Sequence, residues 1–270
     1  MKKIIHMSDW HIGYRAFDKR MDVVIDNLII EKGDRAGQYV IVITGDLVNN
    51  ARQENCFQTV KRGLDQLDEA GFKHILVVPG NHDYGTGNKG SKKFVEIFQQ
   101  TFFGREIDFP KKDIIDDVAF LGLDSMSAEL NWYDDIFAEG EIGKHQLQVL
   151  EQLLHAKDVN KCRKRIIYLH HHPFKWRPFH QLKDSRKLKK ILTQAMAGGI
   201  SIDALLFGHN HQGHAHHGQW GIERCYDAGT ATLKPRPSFV KWSPWFTISS
   251  STRVMDLSQD PRQDYILNLL

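Results

Sequence analysis

Apolar positions along this chain recur in two alternating modes. Short runs rich in Ile, Val and Leu predict strands at Lys3–Met7, Tyr39–Thr44, Ile75–Val78, Val118–Leu123, Ile166–Leu169 and Ala204–Phe207. Between them the apolar residues step by three and four, as on one face of a helix: Phe17, Met21, Val24, Ile25, Leu28 and Ile29, then Phe57, Val60, Leu64 and Leu67, and later Leu147, Leu150, Leu153 and Leu154. Strands alternating with helices of this length predict an α/β chain whose helices cover the faces of its sheets. Beyond Gly208 the helical period stops. Gly213–Trp220, Ile222–Asp227, Phe246–Ser250 and Arg253–Leu257 then predict antiparallel strands and turns. Without an internal repeat or a Pro, Gly or Ser-rich linker, the expectation is a single domain over residues 1–270.

Composition narrows this picture. Hydrophobic residues make up 41% and charged residues 26%, ordinary for a globular chain with a sizeable core. No apolar run approaches the roughly 18 residues of a membrane span, and no leader is read at the start, so the expected partners exclude a membrane and the expected location is cytoplasmic. Cys56, Cys162 and Cys225 are widely spaced and form no CxxC pair, which suggests neither a disulfide framework nor a thiolate zinc site. A net charge of +3 is too mild to imply nucleic acid by itself. Twelve Lys or Arg between Lys157 and Lys190, against Asp158 and Asp184 alone, are read as a solvated helix face, with steering of an anionic substrate as the competing reading.

The chemistry sits in five short motifs, placed where predicted strands end and α/β sheets hold ligands. Asp9 and His11 follow the first strand in SDWH, Asp46 follows the second in TGDLVNN, and Asn81 and His82 follow the third in PGNHD. His171 lies in LHHHP, and His209 and His211 in GHNH. Alternation in an extended segment turns Asp9 and His11 the same way, toward one ion. Each motif alone has an ordinary reading, as a turn or a chance pair in a chain with 15 histidines. Together they offer carboxylate, amide and imidazole donors without thiolate, a set suited to two divalent transition-metal ions of the manganese, iron, zinc or nickel kind. Seven donors exceed one tetrahedral site and fit two ions about 3.5–4 Å apart, with Asp46 as the bridge.

SDWH, GDLVNN, GNHD, HHHP and GHNH, in this order over residues 3–230, resemble the signature of calcineurin-like metallophosphoesterases. The resemblance implies a four-layer αββα sandwich of two mixed β-sheets flanked by helices. It implies that one metal takes Asp9, His11, Asp46 and His211, and the other Asp46, Asn81, His171 and His209. His171 is chosen over its neighbours because the family's ligand stands two residues before a proline, here Pro173. His170 is then read as a core histidine and His172 as a pocket-lining, substrate-binding one. The resemblance further implies that, with the metals in place, a bridging hydroxide would attack phosphorus in line and His82 would stabilise the transition state or protonate the leaving alkoxide. The family's protein phosphatases support this histidine with an aspartate three residues after the bridging Asp. Here that position is Asn49, which orients His82 or contacts substrate.

GDLVN, GNHDYG and EIGKHQLQVLEQLL are similar to the branch containing cyclic-nucleotide phosphodiesterases and glycerophosphodiesterases, which implies a small phosphodiester as substrate. HMSDWHIG resembles the opening of double-strand-break repair nucleases, which keeps nucleic acid as an alternative. The 59 residues after His211 are expected to be too few for those nucleases' DNA-capping and partner-binding segments. A catalytically silent metal-binding scaffold is a third possibility, disfavoured because every ligand position is filled. Tyr84, Trp132, Tyr133 and Trp176 are read as core or rim residues, with base stacking as the functional alternative.

Overall fold

In the computed structural model, residues 1–87, 90–128, 139–174, 182–232 and 252–270 are described. Within them two five-stranded sheets stack face to face. The first has the order β10-β9-β1-β2-β3 and the second β4-β5-β6-β7-β8, built from β1 (Lys3–Met7), β2 (Tyr39–Thr44), β3 (Ile75–Val78), β4 (Lys111–Ile115), β5 (Val118–Gly122), β6 (Lys164–Tyr168), β7 (Ala204–Phe207), β8 (Arg224–Asp227), β9 (Thr252–Met255) and β10 (Tyr265–Leu267). Both sheets are mixed. β1, β2 and β3 run parallel, β9 pairs antiparallel with β1 and β10 antiparallel with β9, while β5 to β8 run parallel with β4 antiparallel at the edge.

Alternation along the strands assigns three apolar layers. Ile4, Val40, Val42, Leu76 and Val78 meet Phe120, Ile166, Tyr168, Leu206 and Tyr226 between the sheets. Their neighbours Ile5, Met7, Ile41, Ile43 and Val77 turn outward onto α1 (Phe17–Lys32), α2 (Glu54–Glu69) and α3 (Lys92–Phe103). Leu121, Ile167, Leu205 and Phe207 turn outward onto α4 (Lys144–His155) and α6 (Ser185–Ala197), with the short α5 (Lys157–Lys161) preceding β6. The result is the expected four-layer αββα sandwich. β2, buried along its whole length, lies inside its sheet, which is why it reads as an unbroken apolar run.

The second half departs from the strand expectations. Arg224–Asp227 pairs parallel with β7, not antiparallel. A parallel neighbour requires a long return, and residues 208–223 supply it without a helix, so the usual signal of a crossover is missing. Gly213–Trp220 contributes only single bridges, Ala215 to Tyr226 and Gln219 to Ile222. Phe246–Ser250 lies outside the described residues, and the last expected strand is β9, antiparallel to β1. β4 and β10, at opposite sheet edges, have no counterpart among the expected strands. Among the described residues no helix is long and apolar enough to cross a membrane. The three cysteines are free, with Cys162 and Cys225 buried.

Candidate metal centre

The loops leaving the C-terminal ends of β1, β2, β3, β6 and β7 converge at one end of the seam between the sheets. Asp9 N–H donates to Gly45 O and His11 N–H to Asp46 O, each at 3.0 Å, so the first two loops run side by side. His82 N–H donates to Asp46 Oδ1 at 2.9 Å and His209 N–H to Asp9 Oδ2 at 3.0 Å. Gly80 permits this packing: a Cβ there would stand 2.2 Å from Asp46 Oδ1.

Asp9, His11, Asp46, His209 and His211 all adopt positive φ, between 47° and 73°. For residues with a Cβ this left-handed region is sparsely used and persists where the surroundings over-determine it, typically at functional sites. The extended geometry expected for Asp9-x-His11 is therefore corrected: the two side chains converge through a twisted backbone.

Two donor groups result. In the first, one donor atom from each of Asp9, His11, Asp46 and His211 lies within 4.8 Å of every other. His11 Nε2 and His211 Nε2 stand 3.0 Å apart, and His211 Nε2 is 2.9 Å from Asp9 Oδ1. In the second, ring nitrogens of His170, His171 and His209 are similarly close. His170 Nε2 lies 3.0 Å from Asn81 Oδ1, 3.2 Å from His209 Nδ1 and 3.3 Å from Asp46 Oδ2. Asp46 Oδ2 is also 3.8 Å from His11 Nε2, which places this carboxylate between the groups. Asn81 is oriented by its own amide, which donates to Gly87 O at 2.9 Å and leaves Oδ1 facing the imidazoles.

His170 is thus not the detached core histidine of the sequence expectation. Ile166, Tyr168 and His170 share the inter-sheet side of the segment, where Asp46 and Asn81 arrive from the other sheet. Its Nδ1–H donates to Thr44 O at 2.7 Å, which leaves the Nε2 lone pair toward the donor group. His171 is fully buried, with Nδ1 2.8 Å from Ser125 Oγ. His172 is placed differently from the pocket-lining expectation: it is buried against Phe174, Phe207 and His216, with its Nε2 3.2 Å from His216 Nε2. Past His170 the strand alternation ends, and the chain turns this ring into the layer beneath α6.

His82 stands beside the first group, its ring 4.9 Å from that of His11. Its Nδ1–H donates at 2.7 Å to the main-chain oxygen of Asn49, so Asn49 orients it through the backbone and not through its amide. Tyr84 is buried and donates to Asp124 Oδ2 at 2.9 Å, a core role. Trp132, Tyr133 and Trp176 lie outside the described residues.

Charge in the centre is tightly linked. Burial raises the Asp46 carboxyl, but His170, His82 and His11 outweigh it and hold it well below the usual carboxylate range. Asp9 behaves likewise through His211, His11 and His170. Burial depresses His170, yet Asp46, then Asp9 and the Thr44 carbonyl, push it up to about 9. Burial lowers His11 and His171. Burial and the Asp46 carboxylate together push Asp83 up to about 8. Imidazole nitrogens 3.0 Å apart beside two carboxylates form a site that a divalent cation neutralises, and the mixed N/O donors match borderline ions.

Part of the basic segment is structural. Lys164 pairs with Asp203 at 2.8 Å, Arg163 pairs with Asp117, and buried Arg165 donates to Asn160 O, Cys162 O and Ser201 Oγ. Arg186, Lys187, Lys189 and Lys190 of α6 are exposed.

A sandwich of two mixed sheets with His, Asp and Asn donors gathered at its strand ends is the metallophosphoesterase fold. The model of the calcineurin-like phosphoesterase family matches residues 2–213, and the chain belongs to that family. Among curated relatives, the 3',5'-cyclic adenosine monophosphate phosphodiesterase CpdA of Haemophilus influenzae is 27% identical over 177 residues, covering 64% of this chain and 54% of the relative. The DNA double-strand break repair protein Mre11 of Haloferax volcanii is 28% identical over 131 residues, covering 46% of this chain and 28% of the relative. The chain thus spans about half the length of the first and little more than a quarter of the second. Solved structures sharing the fold include TT1561 of Thermus thermophilus, with a TM-score of 0.59 at 12% identity over 100% of this chain and 99% of the other. Purple acid phosphatase PPD1 from yellow lupin (Lupinus luteus) seeds has a TM-score of 0.59 at 14% identity, over 94% of this chain and 48% of the other.

Proposed function

We propose that this protein is a binuclear-metal-dependent phosphodiesterase acting on a small phosphodiester of the cyclic-nucleotide or glycerophosphodiester type. The observation that carries the reading is Asp46 Oδ2, 3.8 Å from His11 Nε2 on one side and 3.3 Å from His170 Nε2 on the other, a carboxylate set to serve two cations. One ion would be held by Asp9, His11, Asp46 and His211. The other would be held by Asp46, Asn81, His170 and His209, with His170 in the place expected of His171. When bound, two divalent ions supply positive charge to the phosphoryl oxygens and a nucleophilic water at neutral pH.

The chain's own residues do the rest. Thr44 O fixes the His170 tautomer, and Gly87 O fixes the Asn81 amide. Asn49 O accepts the Nδ1–H of His82, which leaves Nε2 as the nitrogen that would first take a proton and then pass it to the leaving oxygen. The likeness to CpdA supports a cyclic diester. The likeness to Mre11 and the exposed basic residues of α6 support a second reading, cleavage of a nucleic-acid phosphodiester.

Hydrolysis of bis-p-nitrophenyl phosphate, p-nitrophenyl phosphate, cyclic AMP and linear DNA by the manganese-loaded protein tests both. Diester turnover that is lost in Asp46→Ala supports the reading. Absence of turnover with manganese, zinc, iron and nickel would sink it.

A further inference from the structure

Placing His170 in the donor set leaves His171 with no role, although its ring is fully buried within the same cluster. Its surroundings decide what it does. Ser125 Oγ accepts the main-chain N–H of His171 at 3.3 Å and lies 2.8 Å from His171 Nδ1. The Ser125 hydroxyl is fully buried, and among the described residues Nδ1 is the one acceptor shown beside it, so its single proton is assigned to that bond. The ring proton is therefore on Nε2. Among the described residues that nitrogen is buried without a hydrogen-bond partner, a costly state that native interiors avoid. The ring packs 4.4 Å from that of His209 and 5.0 Å from that of His170, beside the second donor group. It is also locked from behind, since a Cβ on Gly140 would stand 2.4 Å from its Cγ. An imidazole held with N–H outward cannot accept a cation, but it can donate to an anionic oxygen.

We propose that His171 is a substrate-positioning residue, held by Ser125 to donate its Nε2–H to a phosphoryl oxygen bound beside His170 and His209. The proposal rests on the phosphoesterase reading of the site. It is tested in the manganese-loaded protein with His171→Phe, His171→Gln and Ser125→Ala, each checked for fold by circular dichroism. The measurements are manganese affinity and inorganic phosphate affinity by calorimetry, with kcat and KM for bis-p-nitrophenyl phosphate. Expected are manganese affinities within about twofold of the parent, phosphate affinity and KM about tenfold weaker in His171→Phe, a smaller loss in Ser125→Ala, and recovery in His171→Gln, which keeps an N–H donor. Unchanged phosphate affinity in His171→Phe overturns the proposal. So does a loss of manganese equal to that of His170→Ala, which would make His171 a ligand. A parent protein that binds manganese and phosphate without turning over any diester would sink the phosphodiesterase reading while leaving the phosphate result to judge His171.

Discussion

His11 Nε2 and His211 Nε2 face each other across 3.0 Å, although 200 residues separate them in the chain. At most one proton fits between two such nitrogens, and Asp9 Oδ1 lies 2.9 Å from the second. The fold thus assembles cation ligands against their own repulsion. Saturation with manganese at about a hundred times its dissociation constant is expected to stabilise the protein by about 2.7 kcal/mol, read as a rise in Tm that Asp46→Ala abolishes. A Tm indifferent to every divalent ion would count against a metal centre.

His170 and His171 separate two assignments of the fourth donor. His170→Ala is expected to weaken manganese binding by more than the roughly 10- to 100-fold typical of an outer-shell partner, and calorimetry compares it with His171→Ala. The reverse order would return the ligand to His171.

Gly80→Ala places a methyl group 2.2 Å from Asp46 Oδ1 and 2.5 Å from its main-chain nitrogen. Overpacking of this kind costs about 1–3 kcal/mol. Because the displaced group is the shared carboxylate, metal affinity should fall along with the midpoint of urea unfolding.

The His82 ring is held by a backbone oxygen and meets the first donor group edge-on at the His11 ring, while the contact to Asp46 Oδ1 is made by the main-chain N–H, which a substitution keeps. His82→Ala should lower kcat by about 100- to 10,000-fold while manganese affinity stays near the parent value. Equal losses in both would mean that His82 supports the metal and not the leaving group.

Asp124 gives a pH signature apart from the metals. Burial pushes its carboxyl up to about 6, while Met126 N–H and Tyr84 O–H pull the other way. The folded value lies above the roughly 3.9 of an unfolded aspartate, so between about pH 4 and 6 the folded state holds a proton that the unfolded state has lost. Its contribution is therefore fully present below about pH 4 and lost as pH rises through about 6. Relative to Asp124→Asn, the parent should lose on the order of 1–3 kcal/mol across that window, measured by urea unfolding at each pH.

The exposed cations of α6 discriminate between substrates. Lys187→Glu with Lys190→Glu should leave stability within about 0.5 kcal/mol. If DNA is the substrate, binding weakens and its salt dependence becomes shallower. If a small diester is the substrate, KM moves little.

Much of the centre is legible in sequence because its donors follow apolar runs whose ends are easy to find. Asp9, Asp46, Asn81 and His209 stand just past β1, β2, β3 and β7. What periodicity does not carry is backbone twist: nothing in SDWH announces positive φ at Asp9 and His11. The choice within LHHHP is hard for a related reason, since a proline offset says less than the side of β6 on which alternation leaves a ring. The direction of β8 is misread from sequence because its crossover lacks a helix. β4 and β10, edge strands with partly exposed residues, lack the apolar density by which the others announce themselves.

Each donor group draws on both sheets, with Asp9, His11, Asp46 and Asn81 from the first and His170, His209 and His211 from the second. A cation bound there is a rivet through the open end of the sandwich. Chelation should then be felt beyond the reaction volume, as faster amide hydrogen exchange at the loop ends of β1 and β7, where hydrogen bonds such as His209 N–H to Asp9 Oδ2 join the two sheets.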